Sequence, residues 1–360
     1  MIEDWFNQLE GEMCASGDER HARIIEIRHE MFQIRETNPD RMIALIDEGR
    51  ALARNLDHTW LVLYFSVRRA EALMLYKGDV EAGLEQAVTN SLEVRKPIYE
   101  ALPWRASVHN DLVVGYLYTD PTGYADLARE ALDWLDAQAQ ASDTPRYLIL
   151  ARRRWLAWEL ADLDEAIEWG RQSLALAEQD PDPTRARFFT VFAYSVLCHI
   201  AWHRDDFAWL GQMATSGVQL ARESDTQLEM GEFQMWQALL LRRAGEAGRA
   251  VKMYRQAARC IARLGKPADC IYFDAVCGYH DLGEEWEESL EARDVELAIL
   301  AGHHRWGSEV NCRIDRCRRL ARLGRLRTED IAATRAVIAK LRKPQSATAR
   351  LDAIERGEWA

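Results

Sequence analysis

A chain of 360 residues that is 48% hydrophobic has apolar surface enough for an extensive core, while 46 Lys and Arg against 58 Asp and Glu leave a net charge of −12 that excludes broad affinity for nucleic acid or anionic membranes unless a local patch overrides it. No run approaches the roughly 20 apolar residues of a membrane span, and the start, Met1-Ile-Glu-Asp-Trp-Phe, has neither a basic n-region nor an apolar h-region, so the cytoplasm is the expected compartment. Seven cysteines without regular short spacing fit reduced, buried thiols rather than a disulfide framework.

Residues 2–14 read as a short helix whose Trp5, Phe6 and Leu9 can cover an exposed hairpin face, giving an N-terminal cap over 1–17. Pairs of amphipathic helices follow over 18–55, 60–96, 104–141, 146–179, 185–223, 227–264, 268–302 and 307–342, making one array over 18–343 with a C-terminal tail over 344–360. Apolar residues inside each stretch recur at helical spacing, as in Trp60, Leu61, Tyr64, Phe65, Ala72, Leu75 and Tyr76, or Leu148, Leu150, Ala151, Trp155 and Trp158. All nine prolines fall at boundaries or in loops, where a missing N–H does no harm. Sustained period-two alternation and Asn-Gly or Asp-Gly turns are missing, so the expected class is all-α.

Turn punctuation recurs at Gly78, Thr119, Ala161, Arg204, Gly245, Gly283 and Gly324, with successive spacings of 41, 42, 43, 41, 38 and 41 residues. Such a period marks a helical-hairpin solenoid. The stretch Gly245-Glu-Ala-Gly-Arg-Ala250-Val-Lys-Met-Tyr254-Arg-Gln-Ala257 resembles the second half of a tetratricopeptide repeat, and Ala161-Asp-Leu-Asp-Glu-Ala166-Ile-Glu-Trp-Gly-Arg-Gln-Ser173-Leu is similar to it. Gly78-Asp-Val-Glu-Ala and Gly283-Glu-Glu-Trp-Glu-Glu-Ser are weaker echoes. Ala250 and Ala257 let the second helix approach the first closely, while Tyr254 fills the gap between hairpins. The period exceeds the family's usual 34 residues, as in the long repeats of kinesin light chains and bacterial sensor-regulator modules. The resemblance covers about residues 38–343 and implies a right-handed superhelical solenoid of about eight antiparallel hairpins.

By that resemblance, ligands lie along the concave surface lined by the first helix of each hairpin. Counting back from each turn places Arg68, Arg69, His109, Asn110, Arg152, Trp155, Tyr194 and Trp236 there, together with Ser195, Asp274 and Asp315. Cations and amides can grip carbonyls or carboxylates, and aromatic walls give rigid apolar contact. The competing reading puts Trp155, Tyr194 and Trp236 in the core. The expected function is protein or peptide binding, as adaptor, scaffold or sensor. The alternative is a regulatory subunit controlling a separately encoded DNA-binding or effector protein, since nothing in residues 1–37 resembles a DNA-reading helix-turn-helix.

An enzyme on a repeat scaffold is the third class. No phosphate loop, dinucleotide fingerprint or nucleophile elbow is present, and no cofactor is expected. Cys260, Cys270, Cys277, His280, His303, His304, Cys312 and Cys317 cluster late in the chain without the tight knuckles of zinc sites. His199 and His203 lack the intervening glutamate of HExxH, so no metal is expected. The basic segment containing Arg313, Arg316, Arg319, Arg322 and Arg325 follows an acidic one containing Glu284, Glu287, Glu291, Asp294 and Glu296. Mutual charge complementarity is the expected use of both, ahead of phosphate binding.

Overall fold

The structure is a computed structural model that describes residues 2–35, 37–139, 146–160, 162–224, 226–262, 270–300 and 305–358. Among them every regular element is helical and no strand occurs. The contacts divide the chain into two compact units, Met1–Arg152 with Gly302–Arg305, and Arg153–Ala301 with Trp306–Ala360. Unit 1 contains α1 (Ile2–Ser16), α2 (Glu19–Ile34), α3 (Pro39–Asn55), α4 (Thr59–Glu71), α5 (Val80–Glu93), α6 (Ser107–Thr119), α7 (Ala125–Ala139) and the first half of α8 (Arg146–Glu159). Unit 2 contains the rest of α8, then α9 (Leu163–Glu178), α10 (Pro183–His203), α11 (Phe207–Glu223), α12 (Gln227–Arg243), α13 (Ala247–Ala262), α14 (Cys270–Leu282), α15 (Trp286–Leu300), α16 (Trp306–Arg322), α17 (Thr328–Ile338) and α18 (Gln345–Glu355).

The helices α2 to α17 fall on the eight two-helix segments expected from the periodicity, and α2 packs on α3, α4 on α5, α6 on α7, α10 on α11, α12 on α13, α14 on α15 and α16 on α17. Their turns share a chemistry. A residue in the left-handed region ends the first helix at Gly78, Asp205, Gly245, Glu284 and Gly324. An acidic residue comes next at four of the five, and its carboxylate caps the second helix where Asp79 accepts from the Ala82 N–H at 3.2 Å and Asp206 from the Trp209 N–H at 3.1 Å. Two expected turn positions are off by one, since the left-handed residues are Asp205 and Glu284 rather than Arg204 and Gly283. At Thr119 the turn differs again, closing on Asp120, whose carboxylate accepts from the Gly123 N–H at 2.9 Å. Ala161 lies outside the described residues.

Small residues on one helix receive large ones from the next. A β-carbon at Gly49 of α3 would stand 2.5 Å from the Phe65 ring of α4, and one at Gly217 of α11 would stand 2.7 Å from Phe233 of α12. Ala250 and Ala257 are fully buried as expected, and Tyr254 presses against Gly278 of the following hairpin. Helix α1 carries Phe6 into the unit 1 core, its ring 4.7 Å from Tyr64, with Trp5 beside Trp104 at 5.5 Å and Leu9 packed on the same cluster. Residues 344–360, expected as a tail, contain α18, whose Leu351 and Ile354 pack with Ile314 of α16 and Ile338 of α17. Sequence reasoning gave that segment no element because it lies outside the repeat.

The acidic and basic segments of unit 2 answer each other. Arg316 bonds Asp294 at 2.5 Å and Asp330 at 2.7 Å, Arg325 pairs with Glu287, and Arg322 lies 4.9 Å over the Trp286 ring. Arg319 reaches back to Asp281 at 3.0 Å and Ser289 at 2.7 Å. Arg293, 9% exposed, binds Asp274 and Glu296, each at 2.5 Å, and Asp315 at 2.7 Å. Asp274 and Asp315, both expected on a ligand-binding face, are thus committed to the same internal guanidinium. Removing it leaves the buried Glu296 carboxylate without its cation, so Arg293→Met should cost about 3–5 kcal/mol. Urea denaturation reads this, and a loss under about 1 kcal/mol would place the network among ordinary surface pairs.

Candidate functional site

In unit 1 the first helices of consecutive hairpins turn polar stripes toward one cleft. Helix α6 carries Ser107, Asn110, Asp111, Val114 and Tyr118, three or four residues apart on one face, beside Arg68 and Glu71 of α4 and Leu148 and Arg152 of α8. The cleft encloses about 340 Å³. Its wall is completed by a π-helical turn, Ala72–Lys77, which continues α4 and presents Met74 and the exposed Leu75. Two glycines let this wall form. A β-carbon at Gly83 would lie 2.3 Å from Met74 Cγ, and one at Gly115 would lie 2.9 Å from Leu84 Cδ1.

The cleft's charges are mostly spoken for. The buried Arg68 guanidinium donates to Glu3 Oε1 at 2.5 Å and to Glu71, and lies over the Tyr64 ring at 5.4 Å. Arg28 also donates to Glu3, at 2.7 Å. Arg152 Nε donates to Asn110 Oδ1 at 3.0 Å, and burial pulls its pKa down from the usual guanidinium value. Asp111 is the exception. Among the described residues its carboxylate accepts only from the neighbouring Asn110 amide, at a long 3.4 Å, and burial, with Glu71 adding to it, pushes its carboxyl up to about 7 against the pull of Arg68 and Arg152.

The cleft brings together three of the expected groove residues, Arg68, Asn110 and Arg152. Arg69 turns toward α3, ion-paired with Asp47 at 3.2 Å. His109 is corrected to the core: one position from Asn110 rotates it by about 100°, and it is fully buried, stacked on Trp134 at 3.6 Å, with burial holding its pKa down to about 3. In unit 2, Trp236 is likewise a core residue, 4% exposed and edge-on to His199 at 4.6 Å. Trp155, half-buried, donates to Glu159 of its own helix at 3.0 Å. Tyr194, also half-buried, borders a separate depression of about 340 Å³ with Trp209 and Met213. Glu71, Asp111 and Tyr118 were missed by sequence reasoning. The stripe through positions 107, 110, 111, 114 and 118 was the available signal for the last two.

Other candidate chemistry is structural. Ser195 Oγ donates to Glu232 at 2.7 Å and His199 Nε2 lies 2.9 Å from the same buried carboxylate. Serine and histidine thus meet the acid, which ties α10 to α12, rather than meeting as nucleophile and base. His199 and His203 both pack on Trp158. Among the described residues no three metal-ligating side chains converge. Cys277 is pushed up to about 11 by burial and Cys312 further still, as inert buried thiols are. The Cys270 side chain, His303 and His304 lie outside the described ones.

No family model matches this sequence, and no curated protein matches it. Solved structures do resemble it. NprR in complex with its cognate peptide NprX aligns with a TM-score of 0.64 at 14% identity, over 94% of this chain and 93% of that one. A Rap protein complexed with Competence and Sporulation Factor aligns with a TM-score of 0.65 at 12% identity, over 98% and 93%. The apo form of the quorum sensor NprR from B. thuringiensis gives 0.61 at 12%, over 94% and 92%. The chain therefore has a tetratricopeptide-like helical-repeat fold, all-α and built from antiparallel hairpins.

Two expectations follow. Trp236→Ala should cost about 3–5 kcal/mol, seen as a large fall in thermal midpoint, as for any buried aromatic truncation. The Asp111 carboxyl titrates higher folded than unfolded, so its favourable contribution is complete below about pH 4 and is lost as pH rises through about 7. Asp111→Asn should therefore stabilise the protein at about pH 8, by on the order of 2–4 kcal/mol, and hardly at all at about pH 4. Urea titrations of variant and parent at both pH values measure the difference, and equal stability at the higher pH would contradict it.

Proposed function

We propose that this protein is a peptide-binding sensor or regulatory adaptor whose ligand lies against the unit 1 cleft. The carrying observation is the convergence of Arg68, Asn110, Asp111, Tyr118 and Arg152, from three successive first helices, on one cavity of about 340 Å³. That size suits a short stretch of extended chain. An amide, a guanidinium, a carboxylate and a phenol there can meet the donors and acceptors that an extended backbone leaves open. Apolar Leu75 and Val114 supply contact between them.

Support also comes from the structural neighbours, two of which hold a cognate peptide or a sporulation factor. A sensor of this kind works by binding rather than by turnover, in the cytoplasm, without a cofactor, and passes its output to a separately encoded protein. Among the described residues no helix is long and apolar enough to cross a membrane. The engagement of Arg316, Arg319 and Arg325 by internal carboxylates supports a protein or peptide partner over nucleic acid.

A randomised heptapeptide pool labelled at its C-terminus tests the reading by fluorescence anisotropy. Asn110→Ala and Arg152→Ala should each weaken binding by about tenfold, the usual consequence of losing a hydrogen bond to a charged or buried partner. Their helicity should stay unchanged. Undiminished binding by both variants would move the peptide elsewhere.

A further inference from the structure

Among the described residues, Asp111 is the cleft carboxylate without an ion pair. Glu3 holds Arg68 and Arg28, and Glu71 holds Arg68. Among the described residues no lysine, arginine or histidine nitrogen lies within ion-pairing distance of Asp111, and the amide contact at 3.4 Å is near the outer limit of a hydrogen bond. The guanidiniums that could approach are tied down, Arg68 by Glu3 and Glu71, Arg152 by Asn110. The half-buried Asp111 carboxylate, facing the cleft, thus lacks the ion partner that its partial desolvation calls for. Beside it, Leu75, Val114 and the Tyr118 ring form an apolar wall of the kind that takes the methylene stem of a long cationic side chain.

We propose that Asp111 is the receptor for a cationic group of the ligand, an ammonium or guanidinium, so that unit 1 selects peptides bearing a positive charge at the residue seated in the cleft. The proposal rests on the peptide reading above and adds its selectivity. The charged groups facing Asp111 are Glu71 and Arg68 on α4, Glu3 on α1 through Arg68, and Arg152 on α8, with the Tyr118 phenol on its own helix; Arg68 is balanced by Glu3 and Glu71, and Arg152 is hydrogen-bonded to Asn110. A cation is the occupant that completes this set. It also requires the ionised acid, so binding is linked to a proton. With the empty site titrating at about 7, cation affinity is full above that pH and falls as the carboxyl protonates below it.

The probes are heptapeptide pools, dye-labelled at the C-terminus, with the central residue fixed as Lys, Arg, Glu or Ala, each made with a free and an acetylated N-terminus. At about pH 8 the best cationic pool should bind at least about tenfold tighter than the acetylated Ala pool, and that preference should shrink by roughly tenfold at about pH 6. In Asp111→Asn both the preference and its pH dependence should vanish. Survival of the preference in acetylated Lys and Arg pools assigns the group to a side chain, and its loss on acetylation assigns it to the peptide's terminal amine. Equal binding of all pools, preference for Glu, or an unchanged preference in Asp111→Asn would overturn the proposal.

If no pool binds, the peptide reading fails, and the receptor is judged separately. In that case carbon-13 NMR of labelled aspartate should show n-butylammonium chloride lowering the Asp111 midpoint where sodium chloride at equal ionic strength does not. An identical midpoint in the two salts would reject the cation site as well.

Discussion

Close approach of consecutive helices is the constraint on which the rest depends. Where Gly49 faces Phe65, Gly83 faces Met74 and Gly115 faces Leu84, a β-carbon would collide at 2.3 to 2.9 Å. Helices packed this tightly bring the first helices of neighbouring hairpins side by side, because each second helix fills the layer behind them. Their outward stripes then fall next to one another. Asn110 and Arg152, 42 residues apart, hydrogen-bond only because one repeat separates them. The cleft is in this sense a product of packing: residues unremarkable in any single repeat become a site when successive repeats are placed in register.

Charge is handled in two ways. Around Arg293 and Arg319 in unit 2, guanidiniums and carboxylates meet at distances that satisfy both sides, and the acidic and basic segments hold α15 and α16 together. In the unit 1 cleft the balance is left incomplete at Asp111. A carboxyl that costs stability when ionised and has no ion pair among the described residues is expected where stability has been traded for binding. The neutral imidazole of His109 two positions away shows the contrast: it is sealed under Trp134, where no ligand can reach it.

The hairpins were legible because helical spacing, boundary prolines and turn residues all pointed to the same segmentation, and α2 to α17 fall where those signals place them. Features that break the repeat were not. The π-helical turn over Ala72–Lys77 depends on how Met74 meets Gly83, and α18 has no counterpart from which to infer it. Within the site, Arg68, Asn110 and Arg152 could be read by counting back from turns. The same count misplaced His109 and Trp236, because one residue of error carries a side chain from groove to core. Asp111 was passed over since its character comes from three helices at once and no local pattern encodes that enclosure.

The measurement that bears most directly on the account is photo-cross-linking with a heptapeptide pool carrying a benzophenone residue, followed by mass spectrometry of the digested protein. The expected attachment sites lie on α4, the π-helical turn, α6 and the first half of α8, and they disappear on competition with unlabelled cationic peptide. Competed cross-links confined to residues 153–300 and 306–358 of unit 2, with none in unit 1, would contradict it.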